Sequence, residues 1–402
     1  MPRAGWVKPV SERRLSDLVS VGVLTRTFPP GLVDEVIAEA GKKEQRHRSL
    51  PAQTMAYFAI GMALHSEGSY EDILSLMCDG LSWVSGEDPV QLPSKSAIFQ
   101  ARARLGAEPL EALFGRVARP LAGPDTPGAW LAGRRLVAID GTCLDVADTA
   151  ENDGWFGRPG VNKGEQAAFP QARVVAVAEC GTHAVFEVAV GAYTTSENAL
   201  AAGLIDRLEP GMLLLADRGF CGFPLWSRAA ATGADLLWRA MANMKPRHIE
   251  TLEDGSWLAE LRPSGNAGRH AKPLTIRVID YEIDDGRVND NTYRLFTTIL
   301  DPDDAPAVEL AHAYAQRWEI ESTFDELKVH QRGPRTVMRS KSPDLVLQEI
   351  WGHLCCHFAI RTLMWEAANE ASVDPDRVSF VAALRIARRS ISAARDFSPS
   401  GH

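Results

Sequence analysis

Between residues 10 and 120 apolar positions recur at helical spacing with few strand-like alternations, as in Leu32 to Ala40, Ala52 to His65, Tyr70 to Cys78 and Ser96 to Leu105. Leu92-Pro93-Ser94-Lys95-Ser96 reads as a helix start, with Pro93 ending the loop and Ser94 or Ser96 capping. Pro120 to Gly133, rich in Gly and Pro, reads as a linker. Beyond it the pattern mixes. Strands are predicted over 136 to 146, near 172 to 179 and 183 to 190, and over 212 to 217 and 234 to 239; helices are predicted over 197 to 208, capped by Ser196, and near 222 to 232. Residues 242 to 304 read as strands and turns, including Leu274 to Ile283 and Tyr293 to Leu300, and a helical segment carrying Tyr314 to Lys328 follows. Ile350 to Met364 is apolar nearly all round, as a buried helix is, which outweighs the ligand-like spacing of His353 and His357 with Cys355 and Cys356 between them.

Two of the predicted strands carry or end in an acid, Leu136-Val137-Ala138-Ile139-Asp140-Gly141-Thr142 and Met212-Leu213-Leu214-Leu215-Ala216-Asp217-Arg218-Gly219. Burying a lone carboxylate is unfavourable unless a cation or hydrogen bonds satisfy it. On a regular helix at about 100° per residue, with Tyr314 at 0°, Arg317 falls near 300°, Glu321 near 340° and Lys328 near 320°, on one narrow face. Glu319 and Glu326 point elsewhere, and Asp325 is Glu321's one local rival. Asp140, Asp217 and Glu321 therefore form a candidate set of ligands for divalent metal; two Mg²⁺ ions, with Mn²⁺ able to substitute, suit phosphate chemistry. Asp145, Asp148, Glu151 and Asp153 read as a solvated acidic loop.

Ile139-Asp140-Gly141-Thr142, Ala216-Asp217-Arg218-Gly219-Phe220 and Tyr314-x2-Arg317-x3-Glu321-x6-Lys328 resemble the three signatures of DDE transposases of bacterial insertion sequences, in particular the insertion sequence four family with its YREK motif. The resemblance runs from roughly Leu15 to Arg389. It implies an RNase H-like α/β catalytic domain with a β-rich insertion, preceded by an all-helical DNA-binding domain. The corresponding boundaries are a helical domain at 1–120, a linker at 121–135, the core at 136–241, the insertion at 242–304, the YREK helix and its successor at 305–365, and a basic helical segment at 366–402. It further implies catalysis by Asp140, Asp217 and Glu321, phosphate contacts by Tyr314, Arg317 and Lys328, and two protomers that pair transposon ends, nick, form and open hairpins and join 3′ ends to target DNA. The aromatic residue, usually Trp, that the family's insertion stacks on a flipped base is replaced here by Tyr293 or Phe296, of which Phe296 is expected rather to pack in the core, with Trp238 and Trp257 as further candidates.

A chain of 402 residues predicts two or three domains. No apolar run approaches a membrane span and the start lacks a signal core, so a cytoplasmic, nucleoid-associated protein without membrane contact is expected. The six cysteines contain no CxxC pair and are expected to be reduced. A net charge of −9 runs against a basic nucleic-acid binder, yet the sign reverses locally. Residues 1 to 50 and 91 to 136 carry excess Lys and Arg, and Arg377, Arg385, Arg388, Arg389 and Arg395 cluster late in the chain. Lys95, Gln100, Arg102 and Arg104 are candidates for contact with double-stranded DNA from a helix-turn-helix-like arrangement. A nuclease of the same fold without strand transfer and a catalytically silent DNA-binding relic are the alternatives.

Overall fold

The computed structural model describes residues 22–45, 50–74, 93–160, 167–263, 272–282, 292–333 and 336–389. The chain divides into two units, one comprising residues 1–117, 326–367 and 378–402 and the other residues 118–325 and 368–377.

One mixed sheet organises the second unit. A short β1 (Trp130–Leu131) pairs antiparallel with β2 (Arg134–Asp145); β2 pairs antiparallel with β3 (Gln171–Glu179), and β3 with β4 (Val185–Ala192). On its other side β2 runs parallel to β5 (Met212–Ala216), and β5 parallel to β6 (Asp235–Arg239). Parallel neighbours need crossovers, supplied by the helices Glu197–Ile205 and Phe223–Ala230. Ser196 caps the first of these, its hydroxyl accepting the Ala199 N–H at 3.2 Å. Every residue of β5 is buried, in keeping with an uninterrupted apolar run that fits a strand covered on both faces.

The strand-rich segment after β6 continues this sheet. β7 (Arg247–Thr251), β8 (Trp257–Leu261), β9 (Leu274–Glu282) and β10 (Thr292–Thr297) extend it, and the order is β4-β3-β2-β5-β6-β10-β9-β8-β7. β10 lies antiparallel to β6 with Phe296 opposite Trp238. Trp226, Trp238 and Phe296 pack edge to face in the core, with ring centroids 5.2 and 6.2 Å from Trp226. The Pro- and Gly-rich stretch is tied down: the Leu121 and Ala122 N–H groups each donate to Glu179 at 2.8 Å, and the Trp130 indole N–H donates to the Gly123 carbonyl at 2.8 Å.

The described elements of the first unit are helical: Pro30–Glu39, Ala52–Leu64, Lys95–Leu105, Glu108–Val117, a π-helix Glu326–Gln331, most of Pro343–Ala371, and Phe380–Arg389. Met55 through Leu64 are all buried, so Ala52–Leu64 is a central helix rather than an amphipathic one. Its neighbour is the Pro343–Ala371 helix, where Gly352 meets the backbone of Ala59; a Cβ at 352 would lie 2.5 Å from the Ala59 carbonyl oxygen. Buried Glu326 accepts hydrogen bonds from Arg361 Nε at 2.9 Å and meets His357 Nε2 at 3.0 Å. Among the described residues no helix is long and apolar enough to cross a membrane. Cys180, Cys221, Cys355 and Cys356 are buried free thiols and Cys143 is half-buried; Cys78 lies outside the described residues.

The segment expected to be one helix from Tyr314 to Lys328 is three pieces. Ala307–Ala315 ends in a turn at Gln316 and Arg317, Trp318–Asp325 follows, and the chain then widens into the π-helix. The steady 100° step therefore fails at both ends, and Lys328, half-buried on the π-helix, cannot be placed by it.

Gly352→Ala should destabilise the protein by about 1–3 kcal/mol, because its methyl group meets backbone that cannot rotate away. The urea midpoint reports this, and an unchanged midpoint would mean that the two helices do not approach so closely in solution.

Candidate active site

The sheet brings the first two acids together by register. Ile139 of β2 pairs with Ala216 of β5 in the parallel ladder, so Asp140 and Asp217 follow as neighbours on adjoining strands. Asp140 lies inside β2, whereas Asp217 follows the last residue of β5, at the carboxyl end of a parallel strand where α/β sheets present ligand groups. Asp140 Oδ1 accepts the Gly141 N–H at 2.8 Å, and Asp217 Oδ1 accepts the Arg218 N–H. Gly141 cannot carry a side chain without moving a neighbour, since a Cβ there would lie 2.7 Å from Glu197 Cδ.

The third acid comes from the Trp318–Asp325 helix through Arg317. One guanidinium nitrogen of Arg317 donates to Glu321 Oε1 at 2.9 Å, the i,i+4 pair that the sequence spacing predicts. Another reaches Asp140 Oδ2 at 3.5 Å. Burial of Asp140 pushes its carboxyl pKa up to about 6; the Gly141 N–H and Arg317 oppose this, and Glu321 and Asp217 add to it. Glu321 and Asp217 are thus both close enough to act on Asp140. Tyr314 is buried and donates its hydroxyl to the Ala216 carbonyl at 3.3 Å, beside Asp217. Burial, above all, pushes its phenol upward. Tyr314 and Arg317 thus turn inward, holding the sheet edge and the acids, rather than outward as free phosphate ligands.

Other sequence candidates are dispersed. Lys95, Gln100 and Arg104 are exposed on the Lys95–Leu105 helix, which Ser94 caps by accepting the Ala97 N–H at 3.3 Å. Lys95 lies 3.8 Å from Glu71. Arg102 is not available to DNA: it is 1% exposed, and its guanidinium donates to Gln348 Oε1 and the Tyr70 hydroxyl at 2.9 Å and to the Ser340 hydroxyl at 3.1 Å. The helix-turn-helix-like arrangement falls largely on residues 75–92, outside the described residues. Of the late basic cluster, Arg385 is exposed, Arg388 donates to the Leu64 carbonyl, and Arg395 lies outside the described residues.

Phe296 and Trp238 are fully buried, so neither ring is free to stack on a base. Tyr293 is half-buried on the strand between them and the surface, its ring stacked on Tyr281 with centroids 5.4 Å apart and 4.2 Å from the Arg239 guanidinium carbon. Arg239 and Tyr281 both act on the Tyr314 phenol, which brings this aromatic and cationic group to the border of the site. Trp257 stacks on His248. The sequence reading missed Arg239, although it ends β6 just as Asp217 follows β5. It also missed Trp318, 60% exposed beside Arg317 at 5.0 Å. In the acidic loop, Arg158 pairs with Asp148 and Asp153, at 2.7 Å for the latter.

Residues 18–115 match the family model for the insertion element 4 transposase N-terminal region, and residues 131–359 match that for the transposase DDE domain. The chain is 30% identical over 377 residues to transposase InsG for insertion sequence element IS4 of Escherichia coli (strain K12), an alignment that spans 92% of this chain and 83% of that protein. It is 25% identical over 240 residues to the putative transposase InsZ of the same organism, covering 59% and 77% of the two chains. A solved structure of the piggyBac transposase synaptic complex with hairpin DNA aligns over 95% of this chain and 82% of its own, at 11% identity and a TM-score of 0.46. With a DDE-domain match over more than half its length and a relative aligned over nearly all of it, the chain belongs to the IS4 family of DDE transposases.

Proposed function

We propose that this transposase cuts DNA at the ends of its element by metal-dependent phosphodiester hydrolysis and joins the freed 3′ ends to target DNA, with Asp140, Asp217 and Glu321 as the catalytic acids. The observation that carries the proposal is the bridging of Asp140 and Glu321 by one buried arginine, with Asp217 beside Asp140 on the adjoining parallel strand. An RNase H-like core is supported by the order β4-β3-β2-β5-β6, three antiparallel strands followed by two parallel additions.

The donor set fits hard divalent cations: it is all oxygen, and burial, the main cause of Asp140's raised pKa, leaves a carboxylate whose charged form a bound cation would stabilise. Asp140, Asp217 and Glu321 would hold two Mg²⁺ ions, for which Mn²⁺ can substitute. When bound, such ions lower the pKa of water or of a DNA 3′ hydroxyl and stabilise the leaving 3′ oxygen. In hydrolysis the attacking oxygen forms a bond to phosphorus as the bond from phosphorus to the 3′ oxygen breaks; in joining, the 3′ hydroxyl is the attacker. Arg317 holds Asp140 and Glu321 at a fixed separation, and Tyr314 fixes the end of β5 from which Asp217 projects. Lys328 is assigned a phosphate contact from the YREK signature, as a point charge.

Double-stranded DNA is the proposed partner, met by the helical domain, with Lys95, Gln100 and Arg104 on the exposed face of one helix. A homodimer would pair two terminal inverted repeats. For the hairpin route, Tyr293 is the proposed stacking residue, because it alone of Tyr293, Phe296 and Trp238 escapes full burial. The proposed organisation keeps a helical DNA-binding domain at 1–120, a catalytic core interrupted by an insertion at 242–304, and a basic C-terminal segment.

The decisive experiment is cleavage of a labelled duplex carrying the ends that flank the reading frame, with Mg²⁺ or Mn²⁺, followed by strand transfer of pre-cut ends. Wild type should nick at the end boundary and join the cut ends, while Asp140→Ala and Glu321→Gln should lose cleavage by roughly 10³-fold, about 4 kcal/mol of barrier. Asp325→Asn, at an exposed position on the same helix, should cleave like wild type. Nicking without joining would identify a nuclease, and end binding without nicking a silent DNA-binding relic; either would overturn the proposal.

A second test needs no DNA. An acid whose folded pKa is raised destabilises the fold when ionised, a penalty absent below the unfolded value of 3.8 and complete above about 6. Asp140→Asn should therefore raise the thermal midpoint in chelator at pH 7.5, by up to about 3 kcal/mol of stability, and raise it less at pH 5. A midpoint that falls at pH 7.5 would show that burial does not penalise the Asp140 carboxylate.

A further inference from the structure

Away from the three acids, a second group of ligating side chains meets within the same unit. His183 lies between β3 and β4, Glu319 in the first turn of the Trp318–Asp325 helix, and Asp376 in the 3₁₀ turn Pro375–Arg377. One ligand atom from each lies within 4.8 Å of the other two. His183 Nε2 contacts Glu319 Oε2 and lies 3.4 Å from Asp376 Oδ1. Two ligands each about 2.0–2.1 Å from a tetrahedral ion are themselves about 3.4 Å apart, the separation that His183 and Asp376 already have, while Glu319 would draw back from its direct contact with His183 to admit the ion. We propose that His183, Glu319 and Asp376 form a second, structural metal site that takes a first-row divalent cation, Zn²⁺ in preference to Mg²⁺.

Three observations support the site. First, two carboxylates converge on one imidazole nitrogen, which carries at most one proton and can share it fully with only one of them; a divalent ion can bond all three. Second, His183 adopts φ 55°, in the left-handed region that a non-glycine residue enters at some expense and keeps where its surroundings over-determine it. Third, the donor set of one imidazole nitrogen and two carboxylate oxygens suits zinc, whereas Mg²⁺ prefers oxygen alone. His183 is buried and the side chains of Glu319 and Asp376 are 25% and 32% exposed, so one side of the cluster is open to ions and to a water ligand. Cys180, three residues before His183, donates its thiol to the Gln316 carbonyl at 3.5 Å and stays outside the ligand set. Burial foremost, then Glu319 and other nearby acids, keeps that thiol protonated.

Glu319 and Glu321 share one helix, two residues apart. An ion at the second site would tie that helix to the β3–β4 turn and to the Pro375–Arg377 turn, and so fix the element that presents Glu321.

The experiment uses the full chain carrying Asp140→Asn and Asp217→Asn, so that zinc at the catalytic acids does not contribute. Equilibrium dialysis against Zn²⁺ alone should give about one ion per chain, with a raised thermal midpoint. Adding Asp376→Asn, an exposed substitution compatible with folding, should weaken binding at least roughly tenfold and abolish the thermal shift; His183→Asn, which tolerates the left-handed backbone, should do the same. X-ray absorption of the zinc-loaded chain should report a nitrogen and oxygen shell with an imidazole signature and no sulfur. No bound zinc, or zinc that neither substitution weakens, would overturn the proposal and leave the cluster as a proton-sharing brace. Because the catalytic acids are already neutralised, failure here leaves the assignment of Asp140, Asp217 and Glu321 untouched.

Discussion

Arg317 is the interaction on which the catalytic unit depends. Its side chain is 8% exposed, and it bonds at once to a strand residue and to a residue one helical turn ahead. A guanidinium can do this because its nitrogens diverge in a fixed plane, whereas a lysine ammonium is a single point of charge. The acids keep the cation charged in a buried position, and the cation lets two carboxylates approach each other. Removing it would take from both acids the one cation that bonds to them together. The turn at Gln316 and Arg317 follows from the same demand, since an arginine directed into the sheet cannot also continue the surface of the Ala307–Ala315 helix.

Much of the sheet was legible because its strands obey simple patterns. Leu213-Leu214-Leu215-Ala216 contains no polar alternation and forms a central strand, with the acid emerging where the apolar run stops. The i,i+4 spacing of Arg317 and Glu321 likewise survived, because it needs only one helical turn to hold. Longer extrapolation failed. Lys328 lies beyond a change to π-helical winding, and that change accompanies burial of Glu326 against Arg361 and His357, residues far along the chain. No local propensity encodes a partner more than thirty residues away.

Arg102 was misread, whereas Phe296 packs in the core as expected. Counting from Lys95 at about 100° per residue, Arg102 falls within about 60° of both Ile98 and Leu105, so its inward orientation was available from periodicity. Reading its charge before its face produced the error. For Phe296, β10 lies between β6 and β9, and consecutive residues Leu295 and Phe296 are both buried. Tyr293, nearer the strand's start, escapes this. His183, Glu319 and Asp376 had no sequence signal, because their proximity exists only once the sheet and the two turns have formed, with 136 residues separating the first pair.

Three carboxylates and one guanidinium leave the group of acids with a formal negative excess, and burial adds its own penalty on the Asp140 carboxylate, whose pKa it raises. A DNA phosphodiester brought to these acids adds to that excess, so the chain's own residues would repel the group they are to cut. In the proposed mechanism divalent ions held by the three acids would remove the conflict, without a permanent buried cation that would hold the phosphate after the reaction. A second arginine in place of that charge would neutralise the acids but could neither activate a water nor stabilise an alkoxide as a Lewis acid. A site of the proposed kind would bind phosphate only with its ions present, and an overall charge of −9 would then be compatible with DNA chemistry because the attraction at the cleavage point need not come from the protein.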